Sequence, residues 1–148
     1  MLVMPLINQL RHITAIILFA SALIPAAHAK PITVTTLDSM EFGTLTPSNG
    51  TCSMASNGKL TGIGGQNCTG TGQAARFQIR GDKNASIFIT LSGSSTGGLT
   101  LNPILDDSPS QILNGGKVTI KVIAELIFSN ITVSGNLGLS YTLSANYE

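Results

Sequence analysis

The sequence predicts an all-β fold, a β-sandwich formed by one domain, and three observations support this expectation. After residue 30, apolar and polar residues alternate with a period of two, the period of a strand with one buried face. Clusters of Gly, Asn, Asp and Ser separate the alternating runs, as turns require. No segment after residue 30 shows the 3.6-residue period of an amphipathic helix, and regularly spaced short strands favour a sandwich.

The first 29 residues have the features of an export signal. Arg11 precedes a largely apolar run over residues 13–24, which is shorter than the roughly 20 residues that a membrane-spanning helix needs. Ala27 and Ala29 then form the small-x-small pattern that signal peptidase cleaves. We therefore expect a signal peptide over residues 1–29 and a protein that passes through the periplasm to the cell surface or the medium.

The remaining domain, residues 30–148, has a balanced charge. Loss of Arg11 leaves seven basic and seven acidic residues, and both histidines of the sequence leave with the leader. This balance gives no basic surface for nucleic acid. We expect no small-molecule cofactor and no nucleic-acid partner.

Two cysteines remain in the domain, Cys52 and Cys68. An even number of cysteines in an exported chain predicts one disulfide, which the chain-entropy model values at about 3 kcal/mol for a loop of this length. Two cysteines without histidine cannot complete a tetrahedral zinc site, so no metal site is expected. Residues 50–72 form the least regular stretch, and we expect the disulfide either to staple this loop or to join two short strands within it.

Each alternating run predicts a strand with its apolar residues facing inward. Residues 81–84 are expected to join two of these strands as a hairpin, and residues 114–116 to open the longest one. The predicted inward positions are Ile32 and Val34; Ala75, Phe77 and Ile79; Ile87, Ile89 and Leu91; Leu99 and Leu101; Val118, Ile120, Val122, Ala124 and Leu126; and Leu137, Leu139, Tyr141, Leu143, Ala145 and Tyr147.

The domain offers little for catalysis, and we expect no enzymatic activity and no catalytic residues. A Ser-His-Asp triad is impossible without histidine. The one Ser-x-x-Lys pattern, Ser56 to Lys59, has Asn and Gly between its ends and predicts a turn. The adjacent Asp106 and Asp107 are interpreted as part of a solvated loop. The integrin-type tripeptide at residues 80–82 falls between two alternating runs and is likewise interpreted as a turn.

The end of the chain resembles subunits of chaperone–usher pili. In those subunits the last strand alternates, with a penultimate Tyr and a Gly fourteenth from the end. Here Tyr147 is penultimate, Gly135 is fourteenth from the end, and Tyr141, Leu143 and Ala145 occupy the alternating positions.

A second resemblance lies at residues 37–45. This stretch is similar to the D-L-x-F-G-x-I opening of the domain-of-unknown-function 4402 family, whose members are small, exported and predicted to be pilin-like. Asp38, Phe42 and Gly43 match the pattern, Ser39 is an additional residue, and Met40 stands in place of Leu.

These resemblances imply an immunoglobulin-like β-sandwich that lacks its last strand and is completed by a donor strand from another protein. The implied function is a structural subunit of a bacterial fimbria or surface fibre, with a periplasmic chaperone, an outer-membrane usher and neighbouring subunits as partners. The last strand would form one wall of the groove that receives the donor, through Gly135, Leu137, Leu139, Tyr141, Leu143, Ala145 and Tyr147.

Two alternatives stay open at the level of the sequence. Ile32 and Val34 fit either a short donor strand for a neighbouring subunit or the first strand of this domain. The domain is either a fibre subunit or a self-contained secreted β-sandwich that binds an unidentified ligand at the surface.

Overall fold

The computed structural model of the protein describes residues 28–46, 48–64, 67–130 and 138–148. Strands dominate these residues, with one 3-10 turn at Asn114–Gly116. In the described ranges no helix has the length and apolar character to cross a membrane. The strands are β1 (Thr33–Asp38), β2 (Thr44–Thr46), β3 (Gly50–Met54), β4 (Leu60–Ile63), β5 (Asn67–Thr69), β6 (Ala75–Arg80), β7 (Ser86–Ser92), β8 (Ser95–Thr96), β9 (Leu99–Leu105), β10 (Ser110–Ile112), β11 (Lys117–Phe128) and β12 (Thr142–Tyr147).

The described strands form three antiparallel sheets. The large sheet has seven strands, in the order β1-β6-β11-β3-β4, with β9 and β8 added on the other edge of β11. A second sheet has the order β10-β7-β12, and β2 and β5 form a two-stranded ribbon. The expected all-β, sandwich-like architecture is confirmed.

The long strand β11 organises the large sheet because its two halves have different neighbours. On one edge it pairs with β6 as far as Val122 and with β3 from Glu125 onward. On the other edge it pairs with β9 from Val122 to Phe128. The sheet therefore curls, and each half of β11 covers a different part of the core.

The core consists of two clusters of buried side chains, one between the large sheet and β7 and one between the large sheet and the β2–β5 ribbon. The alternation predicted from the sequence is confirmed in β6, β7 and β11, where the inward side chains are buried or half-buried. One cluster comprises Ala75, Phe77, Ile79, Ile87, Ile89, Leu113, Ile120 and Val122. The other comprises Cys52, Met54, Leu60, Cys68, Leu99, Leu101, Ala124, Leu126 and Phe128.

The turn at residues 81–84 corrects the sequence-based expectation. It does not close a hairpin, because β6 belongs to the large sheet and β7 to the second sheet. The connection crosses from one layer of the sandwich to the other, with Asn84 at a positive φ of 60°. By contrast, residues 114–116 open β11 as expected, with Gly115 and Gly116 at φ 64° and 87°.

The expected disulfide is present and joins two sheets. Cys52 in β3 is bonded to Cys68 in β5, with Cα atoms 6.0 Å apart. Cys52 is fully buried, and the bond therefore links the β2–β5 ribbon to the large sheet from inside the core.

Loss of this cross-link is expected to destabilise the domain. Cys52→Ser and Cys68→Ser each remove the same bond, so each should lower the free energy of unfolding by about 3 kcal/mol in urea titrations. The wild-type protein should lose a similar amount when a reductant is added. Equal unfolding midpoints with and without reductant would contradict a stabilising bond.

Candidate functional site

The candidate site is an apolar groove between the first and last strands of the domain. Among the described elements β1 pairs only with β6, and β12 pairs only with β7. Each therefore has one edge that pairs with no other described strand, and this open edge presents main-chain N–H and C=O groups. Side chains from both strands line the space between these edges.

The groove has two connected parts. The part beside β1 has a volume of about 450 Å³, and the part toward the β2–β5 ribbon about 280 Å³. Met40 and Tyr141 line both parts, so the two parts adjoin each other. The first part is also lined by Val34, Thr36, Ser39, Phe77 and Leu143, and the second by Phe42, Leu45, Leu99, Leu101, Leu126 and Leu139.

None of the described residues that line the groove carries a charge. Its floor consists of core side chains, Phe77 from one cluster and Leu99, Leu101 and Leu126 from the other. Val34 on the β1 wall is 43% exposed. The groove thus opens both parts of the core to solvent along one side of the sandwich.

Tyr141 lies where the two parts of the groove meet. Its ring packs edge-on against Phe77, with ring centroids 6.2 Å apart and an interplanar angle of 81°. Burial raises the pKa of the Tyr141 phenol above its ordinary value of 10.0, because an apolar environment disfavours the phenolate.

A hydrogen-bonded junction, here called the Tyr147 lock, connects the two walls beyond the β1 end of the groove. The Tyr147 hydroxyl donates to the carbonyl oxygen of Lys30 (2.6 Å) and accepts the main-chain N–H of Asp82 (2.8 Å). Gly81 permits this approach, since a Cβ there would lie 2.3 Å from the Tyr147 oxygen. The lock joins the N-terminal side of β1, the crossing between the layers and the end of β12.

The predicted groove residues within the described ranges lie either in the groove or beside the core. Leu139, Tyr141 and Leu143 line the groove, while Ala145 and Tyr147 pack against the core cluster beyond it. Gly135, Leu137 and Ala27 lie outside the described residues, and Ala29 is exposed.

The two residues expected to act as donor or first strand lie at the start of the domain. Val34 lies in β1, opposite Ile79 of β6. Ile32 precedes β1 and packs against the same core cluster as Ala145.

Sequence reasoning missed part of the groove, namely Met40, Phe42 and Leu45. Met40 and Phe42 flank Glu41, whose N–H and C=O are both bonded to Gln73 (2.9 and 2.7 Å). This isolated bridge holds the segment beside the core although it forms no regular strand. The spacing of two between Met40 and Phe42 was the available signal, but it is too short to predict a strand.

The other sequence patterns occupy turns and loops. Lys59 N–H donates to Asn57 Oδ1 (3.0 Å), and Ser56 Oγ donates to Asp106 Oδ1 (2.6 Å). Asp107 accepts the main-chain N–H of Lys121 (3.3 Å). No group of three or more His, Cys, Asp or Glu side chains suited to a metal ion occurs in the described part of the chain.

The tripeptide at residues 80–82 is part of the crossing between the layers. Arg80 Nε donates to Gln78 Oε1 (2.7 Å), and Gly81 N–H donates to the Gly116 carbonyl (3.1 Å). The main-chain N–H of Asp82 donates to the Tyr147 hydroxyl, and its carboxylate accepts the main-chain N–H of Lys30. These contacts agree with its interpretation as a turn.

The ionisation of Tyr141 can be measured directly, since the protein has two Tyr and no Trp. Ionisation of a tyrosine changes its ultraviolet absorbance. In pH titrations, the absorbance change that is lost in Tyr141→Phe should occur above pH 10. The raised pKa implies that the free energy of unfolding contributed by Tyr141 is present below pH 10 and is lost as the pH rises further. A Tyr141 phenol that ionises at its ordinary pKa would contradict the described packing.

Comparison with known proteins gives one match. The family model for the domain of unknown function DUF4402 matches residues 32–147. No curated protein and no solved structure matches the chain. The matched range starts just before β1 and ends at the last residue of β12, so it includes both walls of the groove. The chain therefore belongs to the domain-of-unknown-function 4402 family.

Proposed function

We propose that the protein is an exported structural subunit of a bacterial fimbria or related surface fibre, and that its groove receives a β-strand from another chain. The observation that carries this proposal is the uncharged apolar groove between the open edges of β1 and β12. The proposed function is one of assembly, and it assigns no enzymatic step to the chain.

The chemistry of the groove favours a strand over other occupants. The open edges of β1 and β12 require main-chain donors and acceptors spaced along an extended peptide. A helix satisfies its own main-chain groups and would leave both edges unpaired. An extended segment can bond to the edges with its main chain while its side chains cover the exposed core.

The occupant is expected to be uncharged and to alternate. Leu143 on β12 and Tyr141 just before this strand both line the groove and are two residues apart, so a matching donor presents apolar side chains at the same interval. A charged side chain on the donor's inner face would be buried beside uncharged side chains, since none of the described lining residues carries a charge.

The donor is proposed to come from a different chain. The main chain of β1 is already in register with β6, from Thr33 opposite Arg80 to Asp38 opposite Arg76. The preceding Lys30 is held by the Tyr147 lock. A periplasmic chaperone during transit, an usher at the outer membrane and a neighbouring subunit in the fibre are the proposed partners.

A self-contained secreted sandwich is the alternative, and the burial of the core favours it. Ile79, Ile87 and Val122 are fully buried without any donor. The two functions differ in one measurable respect: a fibre subunit gains stability when a strand fills the groove, and a self-contained protein does not.

The groove is tested with a synthetic peptide that alternates Val and Thr and carries two terminal Lys residues for solubility. The processed protein should unfold at a higher temperature with this peptide, and stabilisation reaches about 2.7 kcal/mol at a hundred times the dissociation constant. A peptide of the same composition with Val and Thr in separate blocks is the control. An equal response to both peptides, or none to either, would favour the self-contained protein.

A charge on the inner face of β12 should abolish strand binding. Leu143→Asp places a carboxylate in the groove, whereas Ser144→Asp adds the same charge on the exposed side of the same strand. We expect the first variant to lose peptide binding and periplasmic accumulation and the second to retain both. Leu143→Thr, a milder change, should weaken binding while the domain stays folded. Unchanged binding and periplasmic yield in Leu143→Asp would refute the role of β12 as a groove wall.

A further inference from the structure

The main-chain nitrogen of Lys30 lies at the bond where leader removal is expected. This nitrogen is 3.1 Å from Asp82 Oδ2, and the carbonyl oxygen of the same residue accepts the Tyr147 hydroxyl at 2.6 Å. We propose that cleavage after Ala29 turns this amide into an α-ammonium that forms an ion pair with Asp82 and completes the Tyr147 lock. This inference rests on the proposed export of a fibre subunit and assigns a structural role to the new chain end.

The change from amide to ammonium strengthens the contact. An amide offers one N–H to the carboxylate, whereas an ammonium offers three and adds a full positive charge. The hydrogen bond from the amide is already charge-assisted, because the carboxylate is ionised, and the ammonium adds the Coulomb attraction between two full charges. An α-amino group is mostly protonated at neutral pH. Leader removal therefore changes the strength of a contact that the fold already positions.

Basic side chains close to Asp82 do not replace the α-ammonium. Lys30, Arg80 and Lys83 line a cavity of about 380 Å³ beside the turn. A long side chain loses conformational entropy when it is fixed on an exposed carboxylate. The main-chain nitrogen of Lys30 belongs to a residue whose carbonyl Tyr147 already binds. Its pairing with Asp82 therefore costs less conformational entropy than the pairing of a free side chain.

The completed lock has a consequence for the groove. Lys30 precedes β1, and Tyr147 ends β12, so the lock holds the two walls together at one end. Leader removal is thus proposed to fix the spacing of the walls that a donor strand must bridge.

The experiment compares two precursors expressed with the leader. One is the natural chain, and the other has a single Ala inserted between Ala29 and Lys30, which moves the ammonium one residue away from Asp82. Intact mass after purification from the periplasm gives the first residue of each chain. Asp82→Asn is then made in both, with Asp107→Asn as the matched control, since Asp107 also accepts a main-chain N–H.

We expect Asp82→Asn to lower the unfolding temperature by about 3 °C in the chain that starts at Lys30, a shift of the size that one exposed ion pair causes. The decrease should be smaller in the extended chain and should shrink in 1 M salt. Asp107→Asn should affect both chains equally.

Two results overturn the inference, and they are distinguishable. A processed chain that starts at a residue other than Lys30 removes the premise of cleavage after Ala29. A correct start with equal effects of Asp82→Asn in both chains shows that the amino group does not pair with Asp82. Peptide capture by the groove is measured separately, so the proposed function can stand or fail independently of the lock.

Discussion

The two-sided pairing of β11 is the constraint on which the rest of the structure depends. Its first half lies beside β6 and its second half between β3 and β9, and its inward side chains continue from one core cluster into the other. Ile120 and Val122 belong to the first cluster, and Leu126 and Phe128 to the second. β11 therefore contributes to both clusters, and the groove adjoins both of them.

The extent to which the sequence predicts this structure depends on the range of each interaction. Period-two alternation is a local property, and it predicted the inward faces of β6, β7 and β11 correctly. The turn at residues 81–84 has the same chemistry whether it closes a hairpin or crosses between layers, so its topology depends on distant contacts. The groove wall around Met40 is fixed by the bridge from Glu41 to Gln73, which no local pattern indicates.

Tyr147 shows how one residue serves two environments. Its ring packs against a core cluster, and its hydroxyl connects main-chain groups from two other segments. The sequence identified this position through its penultimate place in a resemblance and through the alternation of the last strand. Neither pattern predicts the hydroxyl contacts, because they depend on Gly81 leaving space at the crossing. The range matched by the family model includes Tyr147, and the structure shows the hydrogen bonds of its hydroxyl.

The ribbon formed by β2 and β5 contributes to the far end of the groove through Leu45, which lies directly opposite Cys68 in the pairing register. A two-stranded ribbon is only marginally stable in water by itself. The bond from Cys68 to Cys52 therefore does more than close a loop, since it sets where this end of the groove lies relative to the large sheet. A thiol-reduced chain would hold the same apolar residues in less fixed positions, so the shape of this end of the groove depends on oxidation of the two cysteines.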